Sequence, residues 1–183
     1  MIRKILFAFF LFTSMSLLAQ KLEFIGLGIN SEMKNGENMR TGVAFSYENQ
    51  LTKHNGFEIG LNQRFADRYI IGPVGDGTFQ TSHIIENYLS LPILYKFYSN
   101  IVNLSTGINI DYFVAWNDIT KFGVTEPNSY NINPKLYVGW VFKVGKTIPL
   151  SAKFNLEPEV HFNPIFKYGY SYFGASLKLK YRL

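Results

Sequence analysis

The chain contains no cysteine, so neither disulfide bridges nor a lipid-bearing N-terminal cysteine can contribute to its structure. It also has no run of about 18 apolar residues beyond the extreme N-terminus, which excludes membrane-spanning helices. Charged residues amount to only 17%, and the net charge of +5 is spread along the chain, which argues against nucleic acid as a partner. Aromatic residues, in contrast, make up 17% of the sequence, and this content excludes an intrinsically disordered protein.

The N-terminal residues have the pattern of a secretory signal peptide. Two basic residues precede an apolar stretch from Ile5 to Leu18, and Ala19 supplies the small residue expected at a cleavage site. The apolar stretch is too short for a membrane anchor. We therefore expect residues 1–19 to be removed on export and residues 20–183 to form one domain.

Beyond the signal peptide, apolar and polar residues alternate with a period of two. In the fifth segment, apolar side chains from Val102 to Trp116 fall on one face of an extended chain, whereas Asn103, Ser105 and Asp111 fall on the other. Such alternation predicts β-strands with one apolar and one polar face, and no stretch shows the 3.6-residue period of a helix. The predicted strands comprise residues 21–30, 40–50, 57–70, 84–98, 101–115, 130–144, 149–163 and 169–183.

The predicted connections alternate between long and short. The links 31–39, 71–83 and 116–129 carry turn and loop residues such as glycine, proline and asparagine, and the intervening links are short. This alternation is typical of outer-membrane barrels, whose long loops face outside and whose short turns face the periplasm. The predicted fold class is therefore all-β: an eight-stranded antiparallel up-and-down transmembrane β-barrel. Pairing of the last strand with the first closes it, and both termini lie in the periplasm.

Two prolines lie inside predicted strands. Pro92 and Pro158 have no backbone N–H to donate to a neighbouring strand. Because a missing donor interrupts the hydrogen-bond ladder, we expect a β-bulge at each of them.

A soluble eight-stranded barrel of the lipocalin kind has the same periodicity, because its apolar face points inward instead of outward. Three features favour the membrane barrel. The apolar face of the fifth strand carries no charge, aromatic residues cluster near the segment ends, and the polar face has too many ionisable residues for an apolar ligand pocket. The expected aromatic girdles are Tyr69, Trp116, Tyr130, Phe166, Tyr168, Tyr170 and Tyr172 at one rim, and Phe57, Tyr95, Phe97, Phe142 and Tyr181 at the other.

The run from Asn87 to Tyr98, Asn-Tyr-Leu-Ser-Leu-Pro-Ile-Leu-Tyr-Lys-Phe-Tyr, resembles the Y-L-x-I-P-L-L-x-K-Y strand of the PorT-like outer-membrane β-barrel proteins of Bacteroidota. As in that family, a short turn and a glycine-containing strand follow, here through Tyr112. The resemblance implies an eight-stranded barrel in the cell outer membrane, with no catalytic residues. The family's namesake serves protein secretion and gliding motility, which is the biological context that the resemblance implies for this chain.

The barrel prediction also implies partners. The first is outer-membrane lipid, which would surround the apolar face. The second is the outer-membrane assembly machinery, because the last strand, with Tyr181 on its outward face, resembles the aromatic-bearing terminal strand that this machinery recognises. The third is an envelope protein at the extracellular links 71–83 and 116–129, with ordinary solvated loops as the alternative. The apolar side chains expected there are Phe79, Ile119, Phe122 and Val124.

The polar faces of the strands bring many ionisable side chains into the lumen. Eight strands enclose an interior barely wide enough for their own side chains, so we expect ion pairs to fill and close it. The alternative is a narrow anion-preferring channel, because cations outnumber anions among the residues expected inside. Those residues are Arg40, Glu48, Glu58, Arg64, Arg68, Glu86, Lys96, Asp111, Lys135, Lys143, Lys153, Glu157, Glu159, Lys178, Lys180 and Arg182.

Two histidines are the candidates for catalysis, since a hydrolase needs a serine, a histidine and a carboxylate within hydrogen-bond reach. His83 has Ser82 and Glu86 nearby, but adjacent strand residues point to opposite faces. His161 shares a face with Glu159, as any two paired lumen residues would. No metal-ligand spacing or cofactor motif is present. The sequence therefore favours a non-catalytic structural or partner-docking protein, with a lipid A-modifying enzyme as the weaker alternative.

Overall fold

The computed structural model describes residues 22–73, 79–119, 135–167 and 169–183. In this part of the chain every strand pair is antiparallel, and no helix is long and apolar enough to cross a membrane. The expected signal peptide lies outside it. The strands are β1 (Leu22–Lys34), β2 (Arg40–Gln50), β3 (Asn55–Pro73), β4 (Phe79–Phe97), β5 (Asn103–Asp118), β6 (Leu136–Gly145), β7 (Ile148–Pro149), β8 (Phe154–Pro164) and β9 (Ser171–Arg182).

The sheet closes into a barrel. Strands β1 to β6 pair in chain order, β9 pairs with both β1 and β8, and β6 pairs with β8. Eight strands of the described chain therefore form a continuous ring, and the two-residue β7 extends the β6 side of β8. The antiparallel β-barrel expected from the alternation is confirmed.

The outer wall of the barrel is apolar and its interior is polar, the reverse of a water-soluble protein. On β4, Ile93 and Tyr95 are 45% and 42% exposed, whereas the alternating Leu94 and Lys96 are fully buried. Strands β1, β2 and β9 show the same pattern of exposed and buried positions. This arrangement suits a barrel whose outer wall contacts lipid.

Two of the three links expected to be long are short, because the strands continue past the end of the apolar alternation. Residues 31–34 belong to β1, where pairing with β9 continues. Residues 71–73 and 79–83 belong to the β3–β4 hairpin, which leaves only 74–78 between the strands. The expected alternation of long and short links is therefore wrong at both places, since backbone pairing and not side-chain polarity determines where a strand ends.

No bulge occurs at either proline. At Pro92 the ladder to β3 is interrupted opposite Gly60, but it resumes in the same register. At Pro158 the β8–β9 register continues without a shift. Pro158 also lies just past the last β6–β8 pair, Gly145–Glu159, so its missing N–H removes at most the terminal bond of that ladder.

A register shift occurs instead between β4 and β5. Val114 is the extra residue of β5 opposite the Asn87–Tyr88 step of β4. Because one extra residue reverses the alternation, Trp116 pairs with the inward Glu86 and packs inside the barrel. The outward position expected for Trp116 is therefore wrong.

The β6–β8 seam contains a substitute for a missing ladder bond. In the β6–β8 ladder, the residue opposite Trp140 should donate its backbone N–H to the carbonyl of Trp140. That residue is Pro164, which has no N–H. The side chain of Asn163 donates to that carbonyl instead, with 2.6 Å between Nδ2 and O. The pairs Phe142–Phe162 and Gly139–Ile165 flank this point in one register, so the barrel stays closed.

Candidate functional site: the filled lumen and the rim

The lumen is filled by two kinds of side chain, at opposite ends of the barrel. Beside the turns 51–54 and 98–102 it is lined by lysines and glutamates, and this part is called the ionic half. Towards the other end it is lined by aromatic side chains, and this part is called the aromatic half. Both sets occupy inward positions of the strands, so closure of the barrel brings them together.

Lys96 lies at the centre of the ionic half. Its ammonium is fully buried and lies 2.8 Å from Glu48 Oε2, 3.2 Å from Glu58 Oε2 and 2.8 Å from Glu157 Oε2. A fourth carboxylate, that of Glu159, is 3.7 Å away. These four acidic residues come from β2, β3 and β8, so a single cation from β4 links three other strands.

Three further lysines complete the ionic half. Lys178 and Lys143 each lie 2.9 Å from Glu58 Oε1. Lys180 donates to both carboxylate oxygens of Glu48, at 2.7 and 2.8 Å. Each of these carboxylates is thus paired with more than one ammonium, which compensates for the loss of hydration inside the barrel.

The three carboxylates Glu48, Glu58 and Glu157 have the spacing of a metal site, because one oxygen from each lies within 4.8 Å of the others. The Lys96 ammonium, however, lies at hydrogen-bonding distance from all three. It supplies the positive charge that a bound cation would bring. The cluster is therefore an ion-pair network and not a metal centre.

Arg64 connects the ionic half to the aromatic half. Its guanidinium contacts Glu32 at 2.5 and 3.0 Å, Asp111 at 2.7 Å and Asn163 at 2.7 Å. Its other side faces the ring of Tyr172, with 4.2 Å from Cζ to the ring centroid. A planar, always charged group can satisfy two carboxylates and an aromatic face at once, which a lysine ammonium cannot do in the same geometry.

The aromatic half closes the lumen with packed rings. Tyr88 contacts Phe113 and Tyr137 edge-on, with 5.7 Å between centroids in each case. Tyr170 extends the cluster by contacts with Tyr137 and Tyr172, at 6.3 and 5.9 Å. The interfacial girdle position expected for Tyr170 and Tyr172 is therefore wrong, since both pack inside. The aromatic residues of this half could have been recognised because Tyr88 alternates with Glu86 and Ser90 on the polar face.

The balance of charge in the lumen differs from the expectation. Arg68, Lys135, Lys153 and Arg182 are exposed, while Glu32, which the sequence placed in a loop, is buried. In the part of the chain that the structure describes, seven buried lumen carboxylates pair with six cations, one of which is the half-exposed Arg68. An excess of carboxylates does not favour anions, so the observed lining does not support the anion-preferring channel.

Neither pairing considered for catalysis is formed. His161 Nε2 lies 2.7 Å from Glu32 Oε1, whereas Glu159 contacts Lys178 at 3.0 Å. His83 lies 2.5 Å from Asp67, on the opposite face of β4 from Ser82 and Glu86. The sequence missed both true partners, because Glu32 was assigned to a loop and Asp67 is reached only across the β3–β4 hairpin.

Above the barrel, the β3–β4 hairpin continues beyond the apolar belt. On its outer face the row of exposed apolar positions is interrupted after Leu61 and Leu89, where the next outward residues are Gln63 and Asn87, and exposed Tyr69 and Ile71 follow further up β3. Since polar residues follow on both strands, the section from Gln63 to Pro73 extends past the lipid-facing wall. We call this section of β3, with its partner residues 79–87 of β4, the protruding hairpin.

A charged cluster braces the protruding hairpin. Arg40 forms a two-pronged ion pair with Asp67, at 2.6 and 2.9 Å, and His83 contacts the same carboxylate. The imidazole of His83 also stacks on the ring of Tyr69, with 4.4 Å between centroids. These contacts tie β2, β3 and β4 together above the lumen.

No protein-family model matches the chain, and no curated protein matches it in sequence. Solved structures do match. The outer membrane protein AlkL, studied in lipid bilayers, is 11% identical with a TM-score of 0.55 and coverage of 90% of this chain and 91% of its own. OprG of Pseudomonas aeruginosa is 9% identical with a TM-score of 0.53, covering 90% and 96%. Ail of Yersinia pestis, in complex with a heparin analogue, is 12% identical with a TM-score of 0.52, covering 89% and 99%. These matches show the fold of outer-membrane β-barrels.

Proposed function

We propose that the chain is a non-catalytic outer-membrane protein whose sealed barrel acts as an anchor for a surface presented outside the cell. The observation that carries the proposal is the filled lumen. The space between Glu58, Arg64 and His161 in the interior amounts to about 20 Å³, room for roughly one water molecule. A barrel with this interior does not function by transport through its centre.

Several features support an outer-membrane location. The exposed wall of the described barrel is predominantly apolar, and most of the charged residues between its two ends are turned inward, as lipid contact requires. The fold is shared with outer-membrane proteins. The signal peptide expected at residues 1–19 and the PorT-like resemblance at residues 87–98 support export to that membrane, and the resemblance favours a role in an envelope process such as secretion or motility.

The strand lengths support the orientation. Strands β3, β4 and β5 have 19, 19 and 16 residues, and together they extend past β2 and past the described part of β6 at the end of the barrel opposite Leu22 and Arg182. About 10 residues suffice for a strand to cross the bilayer. The extra length of β3, β4 and β5 therefore projects away from the periplasm, and it favours an external position for this end of the barrel.

The sealed lumen is tested by planar-bilayer recording of the purified protein. We expect no steady conductance, because the ionic and aromatic halves both occupy the lumen. Stable anion-selective steps that disappear in the Lys143→Met variant would contradict the proposal. A larger porin inserted under the same conditions provides the control for successful incorporation.

The non-catalytic role is tested separately by mass spectrometry of lipid A from a deletion strain. We expect the acyl-chain pattern to be unchanged, because the imidazoles of His161 and His83 each lie beside a carboxylate, that of Glu32 and that of Asp67, and neither forms the pairing considered for catalysis. An altered pattern that the wild-type gene restores, and the His161→Ala gene does not, would make the protein an enzyme.

A further inference from the structure

One edge of the protruding hairpin is open. Pairing of β3 with β2 ends at Ala44–Asn62, whereas pairing of β3 with β4 continues to Pro73–Phe79. The other edge of the hairpin is covered further up, because β5 pairs with β4 and Ile119 N donates to His83 O at 2.9 Å. The two edges of the same hairpin therefore differ in how far they are protected.

The register identifies the backbone groups that the open edge presents. Tyr98 N donates to His54 O, so His54 and Tyr98 form a hydrogen-bonded pair in the register of the β3–β4 ladder. Because such pairs recur at every second residue, the even-numbered residues of β3 are those that bond to β4. The odd-numbered residues consequently direct their N–H and C=O groups away from β4. In the described part of the chain, no backbone partner faces these groups at Phe65, Asp67, Tyr69 and Ile71.

Several features that usually protect such an edge are missing from Phe65 to Ile71, although Arg68 carries a charge there. Proteins blunt exposed edges with proline, lysine, bulges or inward charges, and here the first proline is Pro73. The one acidic residue, Asp67, is paired with Arg40 of β2 and contacts His83. A strand that adds to this edge therefore packs beside the Arg40 side chain, and the charge it meets at Asp67 is compensated by an ion pair.

The side chains at this edge favour an extended, partly apolar peptide. Tyr69 and Ile71 are 52% and 69% exposed on the outer face of the hairpin. Polar Gln63 and Asp67 separate them from the apolar belt on the same face, as expected for residues above the lipid. Alternating apolar side chains beside unpaired backbone groups are complementary to a β-strand with the same alternation.

We infer that the open edge from Phe65 to Ile71 binds an extended segment of a partner protein by strand addition. This inference rests on the proposed function, in that the sealed barrel holds the hairpin outside the membrane. The backbone bonds would supply affinity, and contacts with Tyr69 and Ile71 would supply selectivity for apolar residues at alternate positions.

Hydrogen exchange of the full-length protein in phospholipid nanodiscs tests whether the edge is open. We expect the amides of Phe65, Tyr69 and Ile71 to exchange at least tenfold faster than those of Ala66 and Ile70, which donate to β4. Equal protection of both sets would overturn the inference, because it would show that another part of the chain already covers the edge.

Binding is tested with a labelled nine-residue peptide of alternating threonine and valine. We expect it to bind the nanodisc-embedded protein and to slow exchange of the odd-numbered amides. The Ile71→Pro variant removes one edge N–H without touching the β4 ladder and should weaken binding at least tenfold. The matched Ile71→Thr variant keeps the N–H and should bind within about threefold of the wild type.

Three results would overturn the inference. They are no binding, equal binding to empty nanodiscs, and equal loss in the proline and threonine variants. Unchanged protection of the Ile119 amide, on the far side of the hairpin, shows that the proline variant is still folded. Conductance through the lumen does not depend on this edge. A negative binding result would therefore leave the proposal of a sealed lumen standing, and a conducting barrel would leave the binding result standing.

Discussion

The two halves of the lumen close the same barrel by different physical means. The ionic half consists of charges whose hydration is lost and replaced by direct contacts, as around Lys96. The aromatic half consists of rings that pack edge-on around Tyr88 and Tyr137. In the first, each group depends on a partner of opposite charge; in the second, contacts are numerous and individually weak.

The two halves should therefore respond differently to the loss of one side chain. Removing one member of a buried ion-pair network leaves its partners charged and unhydrated, which is strongly destabilising. Truncating a packed ring removes dispersion contacts and buried apolar area, and neighbouring side chains can move to fill part of the space. The ionic half should therefore be the more sensitive of the two, and the rim outside both should be the least sensitive.

The largest effect is expected in the ionic half from Lys96→Met. The variant leaves Glu48, Glu58 and Glu157 without their shared cation, and we expect the free energy of unfolding to fall by about 3–5 kcal/mol. Urea titration in phospholipid vesicles, read by the gel mobility of folded and unfolded barrel, measures it. Lys143→Met is the matched control, because Glu58 keeps two other lysines there. Equal losses in the two variants would refute the central position of Lys96.

The second effect is expected in the aromatic half from Tyr172→Leu. The change removes the ring that faces Arg64 and contacts Tyr170, and we expect a loss of about 2 kcal/mol in the free energy of unfolding. The same urea titration measures it. Phe173→Leu, one residue further on the exposed outer wall, is the control and should change stability much less. A loss as large as that of Lys96→Met would remove the contrast between the halves.

A third, smaller effect is expected at Tyr88→Phe, which alters one bond and keeps the ring packing. The Tyr88 hydroxyl donates to Glu86 Oε2 at 2.7 Å, and Glu86 is also bound by Arg68. Because this carboxylate keeps its arginine, we expect a loss of only about 1–2 kcal/mol. Tyr112→Phe on the outer wall serves as the comparison. No difference between the two variants would mean that the hydroxyl contributes nothing to the aromatic half.

The smallest effect is expected at the rim, in the turn between β1 and β2. Burial raises the pKa of the Glu37 carboxyl above its ordinary value, the carboxylates of Asp67 and Glu86 add to this, and Lys34 opposes it. A raised pKa means that the folded state holds the proton more tightly than the unfolded state. The contribution therefore favours folding at low pH and is lost as the pH rises from the ordinary pKa through the raised one.

Glu37→Gln should consequently raise stability slightly at pH 8 and leave it unchanged at pH 3. Solvent screening at this partly exposed site keeps the effect small. Unfolding titrations at both pH values, with Glu23→Gln as the control, measure the difference. A gain in the free energy of unfolding at pH 3 instead of pH 8 would contradict a raised pKa for the Glu37 carboxyl.

Much of the barrel could be predicted from residue alternation. Eight strand segments, the apolar outer wall and the polar interior all follow from a period of two, and the structure confirms them in the described residues. Residues 130–134 of the sixth predicted segment lie outside these residues, and residues 150–153 of the seventh connect β7 to β8 instead of forming a strand. The errors have one origin. The ends of β1, β3 and β4 and the bulge at Val114 depend on pairing with a neighbouring strand, which the alternation within one segment does not contain.

The candidate site was less predictable than the fold. Most buried charges were expected inside, but their partners were not, and the aromatic half was mistaken in part for an interfacial girdle. Glu32 was missed because the apolar alternation of β1 stops two residues earlier. Tyr172 was placed outside because aromatic residues near strand ends are typical of lipid interfaces.

The order of residues alone is enough to predict antiparallel strands with one apolar face and one polar face, because side chains on an extended backbone alternate by geometry. Which charges meet, where the rings pack and which edge of the β3–β4 hairpin stays open depend on the folded barrel. Lys96 is separated by 48, 38 and 61 residues from the three glutamates to which it donates. Such contacts depend on strand register and on closure of the barrel, and these are properties of the whole sheet.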